Sequence, residues 1–197
     1  MKMGNKQAKL IKFIEKNHFI TSDEAAELGI NPMMMSRLAA DEAIYRIEHG
    51  IYTTNLDWLT HPLKKYMVAC TRFPRAVICN ISALTYYDLT DEEERQTWIA
   101  VPPPQTINNP RYRVIRPTGS AYTLGIEKYC FGNRIVRIYN LEKTIVDSFK
   151  YNTEEIALKA LKNYLKKKVK NMQRLIKYSR KLNKPLDKII TVLIADE

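Results

Sequence analysis

Cysteine is scarce in this chain: Cys70, Cys79 and Cys130 are the only three among 197 residues. An odd, widely spaced set fits neither a disulfide framework nor a thiolate metal site, and reads as small core residues in a reducing cytosol. His18, His49 and His61 have no metal-ligand spacing with one another or with the cysteines. No apolar run approaches the roughly 20 residues that a membrane helix needs. The opening residues, MKMGNKQAKL, lack the apolar centre of a signal peptide. Only six glycines are present, and none belongs to a phosphate-cradling loop or a nucleophile elbow. The acidic run from Asp91 to Glu94 reads as a solvated turn, and Asp147 as a group that holds a neighbouring loop or basic side chain. These absences lead to the expectation of a cytoplasmic, non-enzymatic protein without metal or cofactor.

Charge is plentiful but uneven. The net charge of +11 points to an anionic partner. Residues 1–60 hold 7 Lys and Arg against 8 Asp and Glu, residues 61–155 hold 13 against 10, and residues 156–197 hold 12 against 3. The positive excess therefore lies in the last fifth of the chain.

The most informative stretch is residues 21–52, TSDEAAELGINPMMMSRLAADEAIYRIEHGIY. Thr21 followed three residues later by Glu24 is a capping-box signature, predicting a helix over residues 22–28 that stops at Gly29. Asn31 and Pro32 then supply an N-cap and a first helical residue for a second helix reaching about Ala43. Two short helices around a glycine turn make a helix-turn-helix. The β-formers of residues 45–48 and 51–54 flank His49-Gly50, which suits a tight hairpin turn, so a wing should follow. Upstream, Leu10, Phe13 and Ile14 predict a first helix over residues 6–17. Its lysines, Lys6, Lys9, Lys12 and Lys16, read equally as a solvated face or as phosphate contacts. Ile20 should open a short strand.

In the second helix Met35, Leu38 and Ala39 share the core face, which leaves Met33, Met34, Ser36, Arg37, Ala40 and Asp41 outward. Arg37 can reach a guanine edge or a phosphate, and Ser36 and Asn31 can bond phosphates. Met33 and Met34 suit thymine methyls or soft packing. Arg46 and His49 sit on the wing. These seven residues, Asn31, Met33, Met34, Ser36, Arg37, Arg46 and His49, form the expected DNA-reading set.

Downstream, Trp58 and Leu59 should begin a second domain, giving an expected division into residues 1–56 and 57–197. Helices are predicted over residues 63–71, 81–87 (capped by Asn80) and 141–151 (capped by Asn140). Strands are predicted over 76–79, 97–101 and 112–115, a loop over 118–125, and a hairpin around Gly132-Asn133. Residues from 154 on read as helices, broken near Asn171 and at Asn183-Lys184-Pro185. The fold class is α+β: a winged helix-turn-helix, then a small sheet with C-terminal helices.

Leu38, Ile44, Arg46, Ile47 and Gly50-Ile51-Tyr52 resemble the leucine, leucine-x-arginine-valine and glycine-valine-tyrosine pattern of AbiEi-type antitoxins. These are the transcriptional-regulator halves of bacterial abortive-infection toxin–antitoxin operons. The family usually has a glycine where this chain has Glu42. VICNISALTYYDL, residues 77–89, and IYNLEKTIVDSFKY, residues 138–151, are similar to two later family segments. The resemblance implies a repressor of its own promoter that acts at inverted repeats on double-stranded DNA, with two copies on adjacent half-sites. It further implies a cognate nucleotidyltransferase-type toxin, countered with the help of the C-terminal domain.

Within residues 156–197, Leu158, Leu161, Leu165, Val169, Met172, Leu175 and Ile176 anchor helices. Lys162, Lys166, Lys167, Lys168, Lys170, Arg174, Lys177, Arg180 and Lys181 should cover their outer surface. This surface could serve DNA backbone, an acidic partner or RNA. The alternative to a regulator is a protein- or RNA-binding module built on these helices.

Overall fold

The computed structural model describes residues 4–195. By packing, the chain divides into two compact units. One runs through Pro74 and includes Tyr129–Val136; the other comprises Arg75–Lys128 and the residues from Arg137 on.

The first unit opens with α1 (Asn5–Asn17), whose Leu10 and Ile14 are buried. Strand β1 (Ile20–Thr21) leads into α2 (Ser22–Glu27). The capping box is made as expected: Thr21 Oγ1 accepts from the Glu24 amide, and Glu24 Oε2 accepts from the Thr21 amide at 2.8 Å. Gly29, at φ +73°, closes α2 in a Schellman turn, with the Ile30 amide donating to the Ala25 carbonyl. Asn31 Oδ1 then accepts from the Met34 amide at 2.8 Å and starts α3 (Pro32–Ala40).

α3 ends three residues before the expected Ala43. Asp41 is its C-cap and Glu42 takes φ +56°. The Ala43 amide reaches back to the Leu38 carbonyl and the Glu42 amide to Ala39, a second Schellman closure, with glutamate in the left-handed position. The turn feeds β2 (Tyr45–Glu48), which pairs with β3 (Ile51–Thr53) through Gly50 at φ +73°. β3 lies between β1 and β2 in an antiparallel three-stranded sheet. Leu10, Ile14, Ile20, Ala25, Ile30, Met35, Leu38 and Ile44 close one apolar core. Each large side chain fully buried there contributes roughly 1.5–3 kcal/mol.

Helices α4 (Asp57–Thr60) and α5 (Lys64–Arg72) complete the run. Trp58, expected to open the second domain, is buried against Phe19, with centroids 4.9 Å apart, and against His18 and His61. The two rings bury one another, and Trp58 packs with the winged unit.

In the second unit the elements are β4 (Val77–Ile78), α6 (Asn80–Tyr86), β5 (Thr97–Ala100) and β6 (Tyr112–Ile115). They continue with α7 (Ser120–Thr123), β7 (Ile126–Phe131) and β8 (Arg134–Tyr139), whose joined ends over Tyr129–Val136 belong to the first unit, and then α8 (Leu141–Tyr151), α9 (Glu154–Lys166), α10 (Met172–Lys181) and α11 (Asp187–Ala195). The mixed sheet has the order β6-β5-β4-β8-β7, with β4 antiparallel to β5 and parallel to β8. The fold is α+β, as expected. Leu84, Ile145, Leu161, Tyr164, Leu175 and Ile190 belong to the core that the helices enclose.

Several local expectations are corrected. Asn80 does not cap α6: it is the first helical residue, buried at φ +47°, and its Oδ1 accepts from Asn152 Nδ2 at 2.6 Å. The stretch expected as loop over residues 118–125 holds the single turn α7. Cys130 is exposed, because alternate residues of β7 face outward, whereas Cys70 and Cys79 are core residues. Val169 anchors nothing. It is 81% exposed in the break between α9 and α10, where helical periodicity no longer applies.

Candidate nucleic-acid interface

Helix α3 sets the site by dividing its own surface. Met35 and Leu38 are buried, and Ala39 and Met34 pack partly against the same core. Met33, 81% exposed, stands out with Ser36 and Arg37 on the free side of the helix. Met34 is thus largely a packing residue, and Met33 is the methionine that remains for a ligand. The Asn31 side chain spends its oxygen on the cap and keeps only its amide N–H groups for a phosphate.

Arg37 lies 3.8 Å from Asp41 one turn later, with both side chains more than half exposed. Such a pair contributes little and yields readily to a better acceptor. On the wing, Arg46 is exposed and has no acidic partner among the described residues. Exposed His49 is held through its backbone: Arg72 Nη2 donates to the His49 carbonyl at 2.6 Å and lies 3.2 Å from the Glu48 carboxylate. Arg72 therefore fixes the wing turn from α5, a role that no local sequence signal announced.

A second support is equally remote in sequence. Arg134 Nη2 donates to the Phe19 carbonyl and to Glu24 Oε2, each at 2.7 Å. Burial pushes the Glu24 carboxyl up, but its bonds to Arg134 and Thr21 outweigh this and hold it below the ordinary carboxylate value. A cleft of about 420 Å³ lies beside these groups, lined in part by Ser22, His49, Gly50, Arg72 and Arg134.

Residues 8–55 match the model of a protein family described as transcriptional regulator, AbiEi antitoxin. The resemblance seen in the sequence is borne out over that segment. AbiEi proteins are antitoxins that regulate transcription. The AbiEi match covers α1 from residue 8 on, the helix-turn-helix and the wing; residues 77–89 and 138–151 lie beyond it. No curated protein matches the chain.

The nine expected basic residues beyond 155 are not equivalent. Arg174 lies 3.4 Å from the Glu142 carboxylate, itself buried beneath it, and Arg180 pairs with Asp187 at 2.5 Å. Lys167 lies 3.9 Å from Asp88, and Lys170 Nζ donates to the Leu165 carbonyl at the end of α9. These four have partners, although the pairs of Lys167 and Arg180 are exposed and contribute little. Lys162, Lys166, Lys168, Lys177 and Lys181 are exposed, with no acidic partner among the described residues.

In α8, Lys143 and Asp147 form a buried ion pair one turn apart, with the Lys143 ammonium 4.3 Å from the Tyr139 ring centre. Burial pushes the lysine down and the carboxyl up, while their pairing opposes both shifts. Asp147 thus holds a basic side chain, as its position suggested. No group of histidine, cysteine and acidic side chains among the described residues could hold a metal ion. No described helix is long and apolar enough to cross a membrane.

Proposed function

We propose that this protein is the autorepressor and antitoxin of a toxin–antitoxin operon. Its winged helix binds an inverted repeat in its own promoter, one copy per half-site. Met33, Ser36 and Arg37 face the major groove, Asn31 bonds a phosphate, and Arg46 and His49 place the wing on the adjacent backbone. Met34 supports the helix from its partly buried side. The observation that carries the reading is the division of α3: a core-facing Met35 and Leu38 beneath an uncovered Met33, Ser36 and Arg37. Residues 1–56 are, in this proposal, the reading domain.

The proposed partner is a nucleotidyltransferase-type toxin encoded beside it. The near-neutral charge of residues 1–60 supports a division of labour in which Lys162, Lys166, Lys168, Lys177 and Lys181 add attraction to DNA backbone or to that partner. Footprinting of the promoter should reveal two protected half-sites one or more helical turns apart; a promoter without a protected repeat would overturn the reading. Lys166→Glu with Lys168→Glu separates the two uses. A flatter salt dependence of operator affinity assigns these lysines to DNA, since each phosphate contact contributes roughly 0.9 to the slope. An unchanged slope with lost rescue from the toxin assigns them to the partner.

A further inference from the structure

The second unit holds a groove that the operator reading does not use. It has a volume of about 470 Å³ and runs along β6, an edge strand of the five-stranded sheet. Trp98 on β5 and Arg113 on β6 are register partners, and the guanidinium lies 5.6 Å from the indole centre. Arg116 stands at the end of β6, where its Nε donates to the Gln105 carbonyl at 3.2 Å and its two terminal nitrogens remain. Tyr151, Gln96 and Asn108 contribute to the remaining wall. No acidic residue lines the groove, and neither Arg113 nor Arg116 has a carboxylate partner among the described residues.

We infer that this groove binds a short single-stranded stretch of nucleic acid. Three chemistries converge in it. Two uncompensated guanidinium groups suit successive phosphates and are rigid enough to do so with both N–H donors. Aromatic rings and an arginine already stacked on one of them offer flat surfaces for unpaired bases. The Asn108 and Gln96 amides can donate to and accept from base edges, although Gln96 Nε2 already donates to the Pro110 carbonyl. A duplex keeps its bases stacked inside and would leave the rings unused. A free phosphate would use the arginines alone. The groove thus adds a second nucleic-acid contact, distinct in residues and in strandedness from the one proposed for α3 and the wing.

The test is a titration of the full-length protein with fluorescent single-stranded RNA and DNA decamers, against a hairpin duplex of unrelated sequence and a glutamate decapeptide. The decamers should bind and should quench Trp98 fluorescence in a Trp58→Phe background, with the duplex and peptide weaker. Arg113→Ala with Arg116→Ala should flatten the salt slope by about 1.4, at roughly 0.7 per phosphate for single strands. Tyr151→Ala should weaken binding roughly tenfold, and Tyr151→Phe should restore it, because a base stacks on either ring. Operator binding by the double arginine variant should be unchanged, which keeps this result separate from the promoter footprint. Decamer affinity that is indifferent to these substitutions would overturn the site. A decapeptide that binds as well as the decamers would overturn the nucleic-acid assignment and make the groove one for acidic peptides.

Discussion

Arg134 donates to the same oxygen of Glu24 that accepts the Thr21 amide. The start of the helix-turn-helix is therefore closed by a residue 110 positions away, and the capping box is one part of a larger knot. The Arg134 side chain is 15% exposed and that of Glu24 28%, so solvent screens the pair only in part.

Arg134→Ala should accordingly cost about 2 kcal/mol, the scale of hydrogen bonds to charged groups. In a chain of this size the melting temperature should fall by roughly 4–8 °C. Calorimetry of the full-length variant checks this; an unchanged transition would mean that water replaces Arg134 without loss.

The same knot gives a pH dependence of defined sign. Because the folded carboxyl of Glu24 sits below its ordinary value, its contribution is present above that value and is lost as pH falls through the folded one. Glu24→Gln should lower stability at neutral pH and flatten the loss that sets in as pH falls below the ordinary glutamate value. Urea midpoints measured across that fall in pH test the sign; an equally steep acid limb in the variant would place the titration elsewhere.

Glu42 occupies a left-handed conformation at φ +56°, where a side chain carries a steric cost that glycine avoids. Glu42→Gly should therefore stabilise the protein by about 0.5–1 kcal/mol, after allowing for the greater freedom glycine gives the unfolded chain. The urea midpoint should rise at constant slope. A lower midpoint would show that the Glu42 side chain makes a compensating contact.

Lys143→Met or Asp147→Leu alone strands a buried charge and should cost about 3–5 kcal/mol. The double variant should recover most of that loss, since an apolar pair of similar volume needs no compensation. A double-mutant cycle by urea denaturation measures this coupling; additive losses would show that each residue acts through other neighbours.

Arg37→Ala should weaken operator binding by about 1–3 kcal/mol and relax preference at a single base pair if Arg37 reads a guanine. A uniform loss across sequences would move Arg37 to the phosphate backbone. Equal affinity of variant and wild type would remove it from the interface.

The sequence alone determined whatever depends on neighbours within about four residues. The Thr21–Glu24 box, the Gly29 turn, the Asn31 and Asn140 caps and the Gly50 hairpin were all readable, because each joins groups a few bonds apart. The outward face of α3 was readable for a related reason: helical periodicity alone separates Met35 and Leu38 from Met33, Ser36 and Arg37. Only the tertiary structure decided which distant groups complete those elements. Arg72 on the wing, Arg134 on Glu24 and Trp58 over Phe19 join segments brought together by burial, and no spacing in the chain encodes them. The same holds for charge. The sequence supplied a net charge and a basic C-terminal fifth, but pairing with Glu142, Asp187 and Asp88 settled which cations are engaged. An ion pair forms where folding has already paid the entropy of bringing its partners together, and that depends on packing, not composition.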